Sequence, residues 1–182
     1  MARHTIGIIV GSNRRASINR RLALALARLL EDRFDVRFIK IDDLPIYNGD
    51  LEGHRPAAVD RFTDAVRDVD ALLFVSPEHN RSLTALLKNA IDWGSKPTDR
   101  NVWRDKPAAI TGTSMGAIGT AVGQQHLRQI LGILGMTVMG GEAYISFTPE
   151  PVDADGHFLD ESRRAFLAAY MDRFATLVEK LS

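Results

Sequence analysis

Two stretches hold the residues whose types and spacing could do chemistry. The first is GSNRRASINRR, Gly11 to Arg21, which sets four arginines, two serines and two asparagines between a short apolar run and a helical pattern. A helix N-terminus already carries partial positive charge, so each of Arg14, Arg15, Arg20 and Arg21 is disfavoured there by roughly 0.3–1 kcal/mol. An anion reverses that sign. First-turn N–H groups lack intrahelical acceptors and favour a phosphate, and a hydrogen bond to a charged group contributes about 1.5–3 kcal/mol. Ser12, Arg14, Ser17 and Asn19 therefore read as a phosphate cradle, and Ser17 also suits the N-cap. Arg15, Arg20 and Arg21 read as solvated surface. No Gly-Lys-Ser/Thr follows and Gly11 stands alone, so the stretch is neither a P-loop nor a dinucleotide fingerprint.

The second stretch is SPEHNRSLTALLKNAIDW, Ser76 to Trp93. Pro77 fixes one backbone angle and Asn80 tolerates a tight turn. Such a turn can aim backbone groups at a planar heterocycle. Glu78 reads as structural within it, and His79 is the histidine best placed to influence a bound ring. No Ser-His-Asp arrangement or Gly-x-Ser-x-Gly elbow is present, and the five histidines lack ligand spacing. No catalytic side chain and no metal site are expected. Trp93 and Trp103 read as buried packing or a subunit contact, and Gln124, Gln125, His126 and Arg128 as a solvated or dimer-facing helix surface.

The elements that must position these stretches alternate. Strands are expected over Thr5–Val10, Val36–Ile41, Ala71–Ser76, Pro107–Gly112 and Thr137–Met139, the last extendable to Tyr144. Helices are expected from Ile18, over Ala57–Arg67, Ser82–Trp93 and Gly119–Leu134, and at the C-terminus. There Phe166, Tyr170, Phe174, Leu177 and Leu181 share a face. Nearly continuous apolar strands separated by helices imply a doubly wound parallel α/β sheet. About five strands favour the flavodoxin-like order, with ligands at the carboxyl ends of the strands. The 182 residues suit a single domain, 1–182, with a full core.

Lys+Arg and Asp+Glu both total 23, which gives no global attraction to nucleic acid or to an anionic membrane. Cysteine is absent, and the N-terminal apolar run is too short for a span or a signal peptide. A cytoplasmic protein is expected.

GSNRRASINRRLA, DDLPIYNGDLE, PEHNRSLTALLKNAIDW and GTSMGAIGT follow in an order and spacing that resemble the NADPH-dependent FMN reductases, a family of flavin-dependent quinone, azo-dye and chromate reductases. The resemblance spans residues 6 to about 145. It implies that Ser12, Arg14, Ser17 and Asn19, with Ile18 between the last two, hold the FMN phosphate. It also implies that Pro77, Glu78, His79 and Asn80 meet the isoalloxazine ring, and that Thr113, Ser114 and Gly116 lie beside the flavin. Two departures stand out: His79 replaces the usual Tyr, and Thr84-Ala85 replaces Pro-Gly before the Leu-Lys-Asn run. The implied activity is electron transfer from NADPH or NADH through FMN to a small-molecule acceptor such as a quinone, azo, nitro or chromate compound or free flavin, in a homodimer or homotetramer. The competing readings are a flavodoxin-type electron carrier and a receiver domain. Neutral charge and the absence of an aromatic in PEHN oppose the carrier. The basic stretch after the first strand opposes the receiver.

Overall fold

The structure, a computed structural model, describes residues 3–181. β1 spans Thr5–Val10, β2 Asp35–Phe38, β3 Ala71–Val75 and β4 Pro107–Ser114. The fifth position is filled twice, by β5 at Thr137–Val138 and β6 at Tyr144–Ser146, each parallel to β4. The sheet order is β2-β1-β3-β4-β5, the flavodoxin-like arrangement. The last strand is therefore two pieces. Gly140-Gly141 divides them, and Gly141 sits at φ 85, a conformation outside any strand.

Residues alternate across the strands as a pleat requires. Ile6, Ile8, Leu73 and Val75 face α1 (Ile18–Arg28) and α5 (Glu161–Leu181). Ile9, Leu72, Phe74 and Ile110 face α2 (Ala57–Arg67), α3 (Ala85–Ser95) and α4 (Ala121–Ile133). Every residue of β3 is buried, as a central strand covered on both faces demands. β2 is an edge strand and is largely exposed, shorter than its apolar pattern suggests, although Ile39 and Ile41 beyond it are buried.

Local expectations change in α3 and α5. α3 begins at Ala85 rather than Ser82, because residues 79–82 form a tight turn closed by paired His79 and Ser82 backbone hydrogen bonds of 3.0 Å. In α5 the buried face is Leu167, Tyr170, Met171, Phe174 and Val178, while Phe166 and Leu181 are about half exposed. Trp93 and Trp103 are fully buried. Their indole N–H groups donate to Pro45 and Ile91 carbonyls at 2.7 and 3.0 Å, so their role is packing.

Tyr170 anchors α5 to the sheet by donating its hydroxyl to the Ile110 carbonyl at 2.7 Å. Burial pushes its phenol up to about 12 from 10.0. The folded chain thus keeps this proton above the pH at which the unfolded chain loses it. The stabilisation is intact below pH 10 and is lost as pH rises to 12. Tyr170→Phe should cost about 1 kcal/mol at neutral pH, and urea titrations should show the wild-type advantage vanishing across that window.

Gly112 lies where β4 crosses the end of β3, and a Cβ there would stand 1.9 Å from the Ser76 carbonyl oxygen. Gly132 has no atom within 4 Å of such a Cβ. Gly112→Ala should cost at least about 3 kcal/mol and lower Tm by roughly 6–12 °C. Gly132→Ala should leave Tm unchanged or raise it, because alanine suits a helix interior better.

Candidate functional site

Three loops leave the carboxyl ends of β1, β3 and β4 and enclose a cleft of about 370 Å³, within the range of small-molecule sites. The β1–α1 loop contributes Ser12, Arg14, Ser17, Ile18 and Asn19. The β3–α3 loop contributes Pro77, Glu78 and His79, and the carboxyl end of β4 contributes Thr113 and Ser114. Two of the expected residues do not line it. Asn80 makes the turn instead: with Arg81 it holds positive φ, 51 and 64, the type I′ geometry that asparagine tolerates best. Gly116 lies further along the third loop, where its carbonyl accepts from the Gly119 N–H at 3.2 Å.

α1 begins as its sequence requires. Ser17 Oγ accepts from the Arg20 N–H at 3.2 Å, which leaves the hydroxyl proton free to donate into the cleft. The N–H groups of Ile18 and Asn19 belong to the same open first turn. Asn19 acts differently from the expectation of a direct ligand. Its buried amide donates to the Thr113 carbonyl and accepts from the Thr113 N–H, both at 2.9 Å. That side chain clamps the first turn of α1 to the carboxyl end of β4, which leaves only its backbone N–H for a ligand. Thr113 Oγ1 is likewise committed, donating to Ile145 at 2.8 Å.

Glu78 is structural. One carboxylate oxygen accepts the Gly123 N–H at 2.9 Å, at the N-terminus of α4, where Thr120 supplies no side-chain cap. The other lies 3.6 Å from Arg81. Its negative charge complements the α4 dipole. Among the described residues lining the cleft, no other carboxylate opposes an anion.

Sequence reasoning missed Thr84. It caps α3 by accepting the Leu87 N–H at 3.2 Å, and it donates to the Gly11 carbonyl at 2.9 Å. A threonine directly before the apolar run Ala85-Leu86-Leu87 is an N-cap signal. A proline at this position could do neither job. Asn13, Ala85, Leu86 and Met115 also line the cleft, and nothing in their types distinguishes them from ordinary surface.

The four arginines have four destinations. Arg14 lines the cleft, whereas Arg15 is exposed outside it. Arg20 lies over the Phe38 ring at 5.6 Å. Arg21 is not solvated surface. It donates to the Val152 and Asp153 carbonyls, pairs with Glu150 and lies over the Phe147 ring at 5.0 Å. It ties residues 147–153 to α1. Nor is the polar face of α4 merely solvated. Gln124 is buried and donates to Thr120 and Ala143, and Arg128 donates to Met139 and Gly141.

His157, Asp153 and Asp155 are brought within 4.8 Å of one another, which the histidine spacing did not suggest. Asp153 accepts the Asp155 and His157 N–H groups and lies 3.0 Å from His157 Nδ1, the hydrogen bonding of an Asx turn.

An open helix N-terminus, hydroxyl donors, one unpaired arginine and adjoining turns at the switch point of a flavodoxin-like sheet define a phosphate-bearing nucleotide binder. The model of the NADPH-dependent FMN reductases matches residues 4–150, and the chain belongs to that family. A 2-hydroxy-1,4-benzoquinone reductase from a Burkholderia species is 43% identical over 174 residues, covering 95% of each chain. A quinone reductase from Pseudomonas putida is 42% identical over 178 residues, covering 97% of this chain and 95% of its own. Among solved structures, FerB, a flavoenzyme NAD(P)H:(acceptor) oxidoreductase from Paracoccus denitrificans, superposes with a TM-score of 0.93 at 41% identity, covering 97% of this chain and 98% of that one. An archaeal flavodoxin at 13% identity and a TM-score of 0.60 shares the fold.

The residues present fit FMN. The first loop offers donors to a dianion, and a Cβ on Gly11 would fall 2.4 Å from Ser76 Oγ, so the first and second loops approach as closely as only glycine permits. Asn19→Ala should remove both bonds to Thr113 and leave its buried N–H unpaired, at a total of about 2–4 kcal/mol. Thermal unfolding and FMN retention on a desalting column should fall together, whereas Asn19→Asp should recover part of the stability by accepting from that N–H.

Proposed function

We propose that the protein is an FMN-dependent NAD(P)H oxidoreductase that delivers electrons to quinones, with azo, nitro and chromate compounds and free flavin as related acceptors. The observation that carries this reading is the three-loop cleft, whose first turn favours an anion while its single carboxylate is occupied elsewhere.

Ser12, Arg14 and Ser17, with the Ile18 and Asn19 N–H groups, would hold the FMN phosphate. Pro77, Glu78 and His79 would border the ring on one side, and Thr113 and Ser114 on the other. Asn80 and Gly116 support the same loops from outside the cleft. FMN, when bound there, would supply the redox chemistry between the reduced nicotinamide and the acceptor. The chain's own residues bind, orient and exclude water. Ile18, Leu86 and Met115 supply apolar wall. Thr84 and Asn19 hold the loops at fixed separation. No side chain is needed as nucleophile or base, in keeping with the engagement of Glu78. His79, exposed at the rim, can offer a ring nitrogen to the flavin or to an acceptor where a tyrosine would offer a hydroxyl.

The reading includes a cytoplasmic homodimer or homotetramer. No helix among the described residues is long and apolar enough to cross a membrane. Ile46 and Ile133, 80% and 85% exposed, are apolar surface that a second copy would cover.

The purified protein should be yellow or take up FMN, and NADPH should bleach it anaerobically. Prompt reoxidation by a quinone supports the enzyme, and colour without bleaching supports a carrier instead. Arg14→Ala should raise the FMN dissociation constant about 10- to 150-fold, and Arg15→Ala by less than about threefold. Equal losses in equilibrium fluorescence titrations would reject Arg14 as the phosphate ligand.

A further inference from the structure

A second cleft of about 330 Å³ opens beside the first, between the loop after β1 and the chain leaving β2. The two clefts share Ser12 and Leu86, so a sufficiently long ligand can occupy both. The second cleft combines an aromatic wall, an apolar floor and an uncompensated cation. Phe38 is 39% exposed although it is a large apolar side chain, while Ile39 and Ile41 beneath it are buried. The Arg20 guanidinium lies 5.6 Å from the Phe38 ring centroid. The cleft's other cation, Lys40, is already paired, 3.8 Å from Asp42 and 3.4 Å from Asp43. Arg20 has no carboxylate partner among the described residues.

A planar heterocycle suits Phe38, and a phosphate suits Arg20. Arginine presents a planar fork of donors that matches phosphate oxygens. Sheets that carry the dinucleotide fingerprint meet a ribose 2′-hydroxyl with an acidic residue or a 2′-phosphate with an arginine; this chain lacks that fingerprint and shares only the side-chain chemistry. Asp42 lies 3.8 Å from Lys40, whereas Arg20 is the cation of this cleft without a carboxylate partner among the described residues. This division also explains why Arg14 and Arg20 point to different clefts: each faces a different anion.

We propose that the second cleft binds the 2′-phosphoadenosine end of NADPH, with Arg20 as the residue that selects the 2′-phosphate. The proposal rests on the reading above that a reduced nicotinamide nucleotide is the electron donor. It adds where the nucleotide's far end lies and which side chain distinguishes NADPH from NADH. Removing Arg20 takes a cation away from a helix N-terminus, so the variant should fold at least as well as the parent.

The test uses the FMN-loaded protein in two measurements. Calorimetric titration compares adenosine 2′,5′-bisphosphate with adenosine 5′-monophosphate. Wild type should bind the bisphosphate about 10- to 100-fold more tightly, and Arg20→Ala should bind the two equally. Steady-state kinetics then compare kcat/KM for NADPH and NADH. The NADPH:NADH ratio should fall about 10- to 100-fold in Arg20→Ala, recover in part in Arg20→Lys, and hold in Arg15→Ala. A bisphosphate preference unchanged in Arg20→Ala, or a nucleotide ratio within twofold of wild type, overturns the proposal. So does a wild type that binds the two adenosine phosphates equally. If neither nucleotide reduces wild-type FMN, the donor reading fails instead, and the adenosine phosphate titration still decides whether Arg20 selects a 2′-phosphate.

Discussion

A single buried side-chain amide holds the first turn of α1 to the carboxyl end of β4 across the cleft. Asn19, in the first turn of α1, exchanges two hydrogen bonds with the backbone of Thr113, 94 residues away. Thr84 makes the matching tie between the second loop and the first through the Gly11 carbonyl. All three bonds are buried, where an unpaired polar group costs more than a pair contributes. Any movement that opened the loops would leave those groups unpaired. The cleft is thus preorganised, and its separation does not depend on the ligand that enters it.

The arginine-rich first loop poses an electrostatic problem that the fold divides rather than solves once. Arg21 is neutralised within the protein, by Glu150 and by carbonyls of residues 152 and 153. Arg14 turns towards the first cleft and Arg20 towards the second. Arg15 is exposed, where solvent screens its charge. The arginines that line a cleft, Arg14 and Arg20, are the ones without a carboxylate partner among the described residues. The tied one shows that a cation near a helix N-terminus also serves when a distant segment supplies acceptors. Glu78 applies the same logic with the opposite sign, bringing negative charge from the second loop to the N-terminus of α4.

Much of this was legible in the amino-acid order. β1 and α2 span the residues that their periodicity indicates, and α1 begins at the capping Ser17. Ten of the twelve residues expected at the site line the cleft, with Asn80 and Gly116 outside it. The misreadings share a cause. The expected start of α3 at Ser82 gives way because the turn at Asn80-Arg81 claims that serine's backbone. Phe166 fits a helical stripe with Tyr170 and Phe174, yet the buried face of α5 runs through Leu167, Tyr170 and Met171 and leaves that ring 48% exposed. Gln124 looks like solvent-facing polarity, and only the proximity of the Ala143 carbonyl makes it interior.

The sequence by itself determined most of the strand and helix segments, the crowding of cations beside the N-terminus of α1, and the ordered motifs of the family. These properties are local: hydrophobic period, cap chemistry and charge beside a helix end act over a few residues. Only the tertiary structure decided which polar side chain is left open to the cleft and which is consumed holding its walls. That choice depends on acceptors far away in the chain, such as Thr113 for Asn19 and residues 150–153 for Arg21. A side chain's hydrogen-bonding capacity is written in its type, but its partner is set by which backbone the folded sheet brings within 3 Å.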